Sequence, residues 1–549
     1  MPIPSSGEEF TFTNPDGEEI HVRVWGSLFA AVFETLDGYT VVKDPESGYL
    51  HYAVLSKDKT SIVPSGTRVG QRDPQLLNLP QHIGISREAM KAKAVKAKEE
   101  TKIRPRWEIR RQQRKSHPTR ATPTREAGEE SSSPDDDDEP QAATPIVGDY
   151  VGLCLLINFP DVQATINQQE VNNYCNQQGY SNFGNNGSVY DYFFDISDGK
   201  LRYTNVVTSY YQAIHNRSHY TDPNVSYGTR ARELIIEALD NLKDNGFDFS
   251  QLSSDSSGYV YALNVFYAGN RVNNWAEGLW PHSWTFATPY VVSSTKKFSD
   301  YQITNMGSQL TLRTFCHENG HMVCDFPDLY DYGYQSSGVG NYCLMCSGGS
   351  NINPTQVSAY LKNEAGWTSS LTTLAPGMVA TIAAGSNEFL IHKKSATEYF
   401  ILENRQQVGR DSVLPDAGLA IWHVDELGSN NDEQMTPSQH YECSLEQADN
   451  SWDLENGRNA GDANDLFSAP TYTRFGASTS PNSKWWDGLK SGLEIVDVSA
   501  PGSSMTVKTT VKIQEPPCKW GNAVAATMNV VMLQSLRGRR GRFTYMDPE

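Results

Sequence analysis

His317-Glu318-Asn319-Gly320-His321 is the stretch on which the reading of this chain turns. On a helix, residues four apart stack on one face, so both imidazoles can reach one metal ion. Glu318 follows the first histidine, where its carboxylate can take a proton from a metal-bound water. The preceding Ser308-Gln309-Leu310-Thr311-Leu312-Arg313-Thr314-Phe315 contains neither Gly nor Pro and predicts a lead into such a helix. Downstream, in Phe326-Pro327-Asp328-Leu329-Tyr330-Asp331, Pro327 is expected to end the helix and turn the chain back toward the metal. A carboxylate delivered there completes a three-ligand zinc site with an open position for water. Asp328 is the expected third ligand, with Asp325 and Asp331 as rivals.

Next comes Asn341-Tyr342-Cys343-Leu344-Met345-Cys346-Ser347-Gly348-Gly349. A Met in a tight Gly/Ser turn after such a helix is similar to the methionine beneath the zinc of metzincin-type proteases. Further segments follow in order: Val151 to Asp161, Ser188-Val189-Tyr190-Asp191-Tyr192-Phe193, Ser197-Asp198-Gly199-Lys200-Leu201, Gly278-Leu279-Trp280-Pro281-His282-Ser283-Trp284, and Ser358-Ala359-Tyr360-Leu361-Lys362 leading to Gly366-Trp367. With these landmarks the chain resembles the immune-inhibitor-A-like family of secreted zinc metalloproteases over residues 145 to 515. The resemblance implies an α+β chain: a zincin-type catalytic domain built on the HExxH helix, preceded by a small β-rich propeptide and followed by a β-sandwich-like domain. One departure stands out. The family pattern has Gly three residues after the second His and Asp six after it, positions held here by Cys324 and Pro327. Asp328, seven residues on, implies a one-residue insertion in the turn. Cys at a positive-φ position is strained, so the turn geometry is expected to differ.

A chain of 549 residues is long enough for two or three domains. Its formal net charge of −19 argues against nonspecific nucleic-acid binding. No apolar stretch is long and clean enough for a membrane span; Ala523 to Leu536 comes nearest and is interrupted by Asn529 and Gln534. Residues 1–9 have neither a basic n-region nor an apolar h-region, so no signal peptide is visible. The family resemblance implies secretion, and the expectation is a secreted chain whose leader lies outside this sequence. Eight cysteines allow disulfides or buried thiols; Cys316 and Cys324 flank the helix, and Cys343 and Cys346 form a C-x-x-C beside the Met turn.

Five segments are expected. Residues 1–86 alternate in the manner of short strands, as in Phe10-Thr11-Phe12-Thr13 and Glu18 to Trp25, and resemble the family's propeptide. Residues 87–146 are a linker, first basic and helix-prone, then acidic and disordered through Glu129 to Pro140. An activating protease could cut it near Arg110-Arg111, Arg114-Lys115 or Arg125; the other reading is a solvated spacer. Residues 147–372 form the catalytic domain, with an amphipathic helix carrying Leu234, Ile235, Ala238, Leu239 and Leu242 and a buried strand at Tyr259 to Tyr267. Residues 373–515 are β-rich, as in Glu398 to Arg405, Gly418 to Asp425 and Met505 to Lys508, and 516–549 form a flexible tail. Asp462, Asn464 and Asp465 could hold calcium or simply shape an Asx-rich turn.

The expected function is zinc-dependent hydrolysis of peptide bonds in protein or peptide substrates by a chain made as a zymogen. His317, His321 and Asp328 hold zinc, and Glu318 activates the zinc-bound water. Tyr330, Tyr332 and His282 are candidates for a second donor to the oxyanion. No cysteine precedes Cys154, so latency through residues 1–147 needs a carboxylate, an imidazole or steric blockage. The competing readings are a catalytically silent binding or adhesion relative and another zinc hydrolase.

Overall fold

Period-two alternation of apolar residues governs the N-terminal part, where Phe10, Phe12, Val22 and Val24 turn to one side and bury. The computed structural model describes residues 5–510, except 27–30, 87, 91, 94–95, 97–103, 117–144, 274–276, 334 and 432–434. The chain is mixed α/β, compatible with the α+β class, and its described residues form four sheets. The acidic stretch 129–140, Arg125, Cys518 and the tail lie outside the described residues.

The first sheet is a six-stranded antiparallel meander, β1 (Ser5–Thr13) through β6 (Ile62–Arg68), with each strand paired to the next. The second has five strands in the order β10-β11-β9-β7-β8. Its centre is β7 (Gly148–Asn158), parallel to both β8 (Leu201–Gln212) and β9 (Leu263–Tyr267). Strand β11 (Lys297–Asn305) runs parallel to β9, and β10 (His282–Val291) closes the edge antiparallel. The expected strand at 259–267 thus forms only over Leu263–Tyr267; Tyr259 and Val260 make isolated bridges to Lys297 and Ser254. The amphipathic pattern at 234–242 sits on the helix Thr229–Asp244, with Leu234, Ile235, Ala238 and Leu239 buried.

Two further sheets occupy 370–509. One has the order β12 (Ser370–Thr373), β14 (Glu388–Lys393), β15 (Glu398–Arg405), β16 (Gly418–Asp425) and β17 (Cys443–Leu445), and β15 and β16 fall on two of the segments expected to be β-rich. The other is three-stranded, in the order β13 (Val379–Ala383), β19 (Ser504–Thr509) and β18 (Ile495–Val498). Leu390, Phe400, Leu402 and Ile421 of the larger sheet share a core with Ile382, Ile495, Met505 and Val507 of the smaller. The other face of the larger sheet, through Phe389, Ile391, Ile401 and Trp422, joins the core that surrounds residues 312–324. Apolar packing is therefore continuous across residue 372, and the C-terminal sheets buttress the segment that carries the histidines.

Candidate metal centre

Helix α5 (Leu312–Cys324; α1–α4 being Arg106–Ser116, Gln168–Asn176, Val189–Ile196 and Thr229–Asp244) carries His317, Glu318 and His321. It is buried nearly all round, so its polar side chains must find partners inside the protein. Asn319, pointing away from the histidines' shared site, donates to Asn264 Oδ1 at 2.9 Å and accepts from the Tyr203 hydroxyl at 2.7 Å. Asn264 also donates to Asn205 Oδ1 at 2.8 Å. This network ties the helix to β8 and β9.

Gly320 has a different reason to be there. A Cβ at that position would stand 2.7 Å from Met345 Sδ, so the helix can lie on the methionine only with glycine between the two histidine turns. Met345 is fully buried and its carbonyl accepts from Leu329 N at 2.7 Å, which ties the 340s turn to the loop after the helix.

The helix ends earlier than Pro327 implied. Cys324 is its last residue, and Asp325 takes the left-handed conformation (φ 53°, ψ 28°) that caps it. The positive φ thus falls on an aspartate, which tolerates it better than cysteine would. The turn that follows brings Asp328 round to the histidines. Its Oδ1 stands 3.1 Å from His317 Nε2 and 3.2 Å from His321 Nε2, with all three side chains 0–1 % exposed. The two rivals are used otherwise. Asp325 pairs with Arg110 at 2.6 Å and Arg114 at 2.9 Å. Asp331 accepts from the backbone N–H groups of Gly333, Gln335 and Ser336 and shapes its own turn.

The donor atoms are set for a cation. His317 Nδ1 lies 3.0 Å from Leu344 O and His321 Nδ1 2.6 Å from Phe326 O, so each ring donates outward and turns a bare Nε2 inward. Asp328 Oδ2 is taken by the Tyr332 hydroxyl at 2.8 Å, leaving Oδ1 to face the two nitrogens. None of His317 Nε2, His321 Nε2 and Asp328 Oδ1 has a hydrogen bond of acceptable geometry, although their separations are short. Three buried ligand atoms within 4.8 Å of one another fit a metal ion, and His₂Asp is a donor set suited to zinc.

Asn430 and Asn431 have no counterpart in the sequence reading. Asn431 donates to Asp328 O at 3.1 Å and Tyr330 O at 2.9 Å, and Asn430 to Leu329 O, so a loop of the C-terminal region fixes the ligand-bearing turn. A lone Asn-Asn pair a hundred residues away carries no local signal of that role. Of the donor candidates, Tyr332 holds Asp328, and Tyr330 stands close enough to Asp328 and Glu318 to feel both charges. His282 is engaged elsewhere, within reach of Trp280 O and the Tyr301 hydroxyl, and burial brings its pKa down to about 4.

A second group, His215, His219 and Glu233, also lies close together, but His219 Nε2 is already 2.8 Å from Glu233 and 3.0 Å from Arg230. Of the calcium candidates, Asp465 Oδ2 accepts from the Tyr342 hydroxyl and from Asp462 N, and Asp462 Oδ2 accepts from Asn459. The seven described cysteines, Cys316, Cys324, Cys343 and Cys346 among them, are buried free thiols. No helix among the described residues is long and apolar enough to cross a membrane. The chain matches no protein-family model, and no curated protein matches it.

Proposed function

We propose that this chain is a zinc-dependent endopeptidase of the immune-inhibitor-A-like kind, with Glu318 as its general base. The observation that carries the reading is the convergence of His317 Nε2, His321 Nε2 and Asp328 Oδ1 in a buried site, each ring turned so that Nε2 faces the carboxylate. These three residues would hold zinc, which when bound would supply Lewis acidity for activating water and a substrate carbonyl. Glu318, buried beside His317 on the same helix, takes the proton from the attacking water and returns it to the leaving amine. Tyr330 keeps its own proton, since burial first and then the charges of Asp328 and Glu318 push its pKa well up. A neutral phenol at that point donates to the carbonyl oxygen as it gains charge. Tyr332 holds the Asp328 carboxylate in place.

The test is zinc content and casein cleavage of the chain beside its Glu318→Gln variant, both also carrying Trp107→Ala to uncover His321. Stoichiometric zinc in both, with turnover down about 10²- to 10⁴-fold in the variant, supports the assignment. Equal turnover in the two would remove Glu318 from the chemistry, and absence of zinc would remove the metal reading altogether.

A further inference from the structure

A polypeptide cannot reach this centre as it is folded. His317, Glu318, His321 and Asp328 are 0–2 % exposed, and part of what covers them is helix α1 from the basic stretch before the second sheet. Trp107 of α1 stacks on His321, ring centroids 4.7 Å apart and planes 22° from parallel. The rest of α1 is held almost entirely by charge. Arg106, Arg110 and Arg114 recur every four residues, and Trp107, Arg111 and Lys115 do the same on the adjoining stripe. The first stripe runs along Asp255 and Asp325: Arg106 Nε lies 2.8 Å from Asp255, and Arg110 and Arg114 both pair with Asp325. Arg110 also donates to Met322 O at 2.7 Å, at the C-terminal end of α5. On the second stripe, Arg111 and Lys115 converge on Glu442, with Glu364 3.4 Å from Arg111. Asp300 accepts from the backbone N–H groups of Arg106 and Trp107 and closes the free N-terminus of the helix. No side chain of α1 enters any of the four hydrophobic cores.

We infer that α1 is an internal inhibitor: a basic helix seated in an acidic groove, laying Trp107 over His321, which must leave before substrate can enter. This rests on the endopeptidase reading and adds its regulation. The site is shut by steric cover from an aromatic ring, with the cations of α1 as the clamp. Such a cover can come away as a unit, because its removal mainly exposes carboxylates to water, Trp107 being its one buried apolar side chain. It also restricts where activation can begin. A trypsin-like protease must take a basic side chain into its own pocket, but Arg110 and Arg111 are 9 and 10 % exposed and committed to ion pairs. Cleavage at Arg110-Arg111 therefore follows release of the helix and cannot cause it.

The test uses the zinc-loaded full chain, with Trp107→Ala and the double variant Arg111→Ala/Lys115→Ala. Two quantities are read: the rate at which a chromophoric chelator strips zinc, and casein cleavage. Both are expected to rise about tenfold or more in each variant, and tryptic nicking after Arg110 to appear only there. Equal rates in wild type and variants would overturn the proposal. Faster zinc loss with no cleavage in any chain would keep α1 as the cover and sink the endopeptidase reading alone; no zinc in any chain would sink both. Hydrogen exchange on the wild type guards against misfolded variants. Amides of 106–116 are expected to open in a step separate from those of 312–324, and opening of both helices in one common step would overturn the proposal.

Discussion

Trp107 lies flat against His321, joining a residue of the basic stretch to the second histidine of the metal centre. The contact makes the state of α1 and the state of the centre readable from each other.

Acid should loosen α1. Burial works against a charge on Glu442, but Arg111 and Lys115 beside it, with Tyr360 donating a hydrogen bond, bring its carboxyl down to about 2. Release of α1 takes both cations away, so this contribution is present above the ordinary carboxylate value of about 4.3 and is lost as pH falls toward the folded one. Protection factors of amides 106–116, corrected for intrinsic exchange, should fall as pH drops below about 5. A steady rise down to pH 2 would contradict the assigned role of Glu442.

Alanine at each of the three carboxylates separates their roles. Asp328→Ala should lose stoichiometric zinc. Asp325→Ala should keep zinc but free α1, because Arg110 and Arg114 lose their partner. Asp331→Ala should also keep zinc while destabilising its turn by about 1–3 kcal/mol, the cost of leaving buried N–H groups unmet. Atomic absorption and thermal melts decide, and zinc retained in Asp328→Ala would move the third ligand elsewhere.

Tyr332→Phe removes the hydroxyl that holds Asp328 Oδ2. Zinc affinity should fall about 10- to 100-fold with the fold intact. Competition against a chelator of known affinity measures it, and an unchanged affinity would show that the carboxylate needs no such support.

Gly320→Ala adds a methyl 2.7 Å from Met345 Sδ, and overpacking of that kind costs about 1–3 kcal/mol. Better helix propensity returns less than about 1 kcal/mol. Met345→Ala should cost about 2–5 kcal/mol by opening a cavity. Because the two residues touch, the double variant should be more stable than the sum of the single changes predicts. Strict additivity in denaturant melts would mean that the methionine moves aside freely.

Much of the layout was open to reading along the chain. His317 and His321 share a helical face because four residues make about one turn, and no distant contact is needed to know it. The segments at 398–405 and 418–425 were equally plain, since both form continuous runs rich in β-branched and aromatic residues. The strand proposed from Tyr259 begins only at Leu263, where parallel pairing with β7 and β11 becomes available. Pairing partners are set by the sheet, so local pattern overran the boundary.

What the sequence determined by itself is local and periodic: one helix carrying two histidines and a carboxylate, a breaker and three aspartates after it, and a basic, helix-prone stretch upstream. Which aspartate faces the histidines was decided only in three dimensions, by a left-handed residue at Asp325 and by Tyr332, Asn430 and Asn431 around the turn. The seat of the cationic stripe was decided there too, because Asp255, Asp325 and Glu442 meet α1 only after two sheets and a helix have packed together. Periodicity follows from the backbone of a few neighbouring residues. The choice among equivalent carboxylates depends on a few ångströms of packing between parts of the chain hundreds of residues apart.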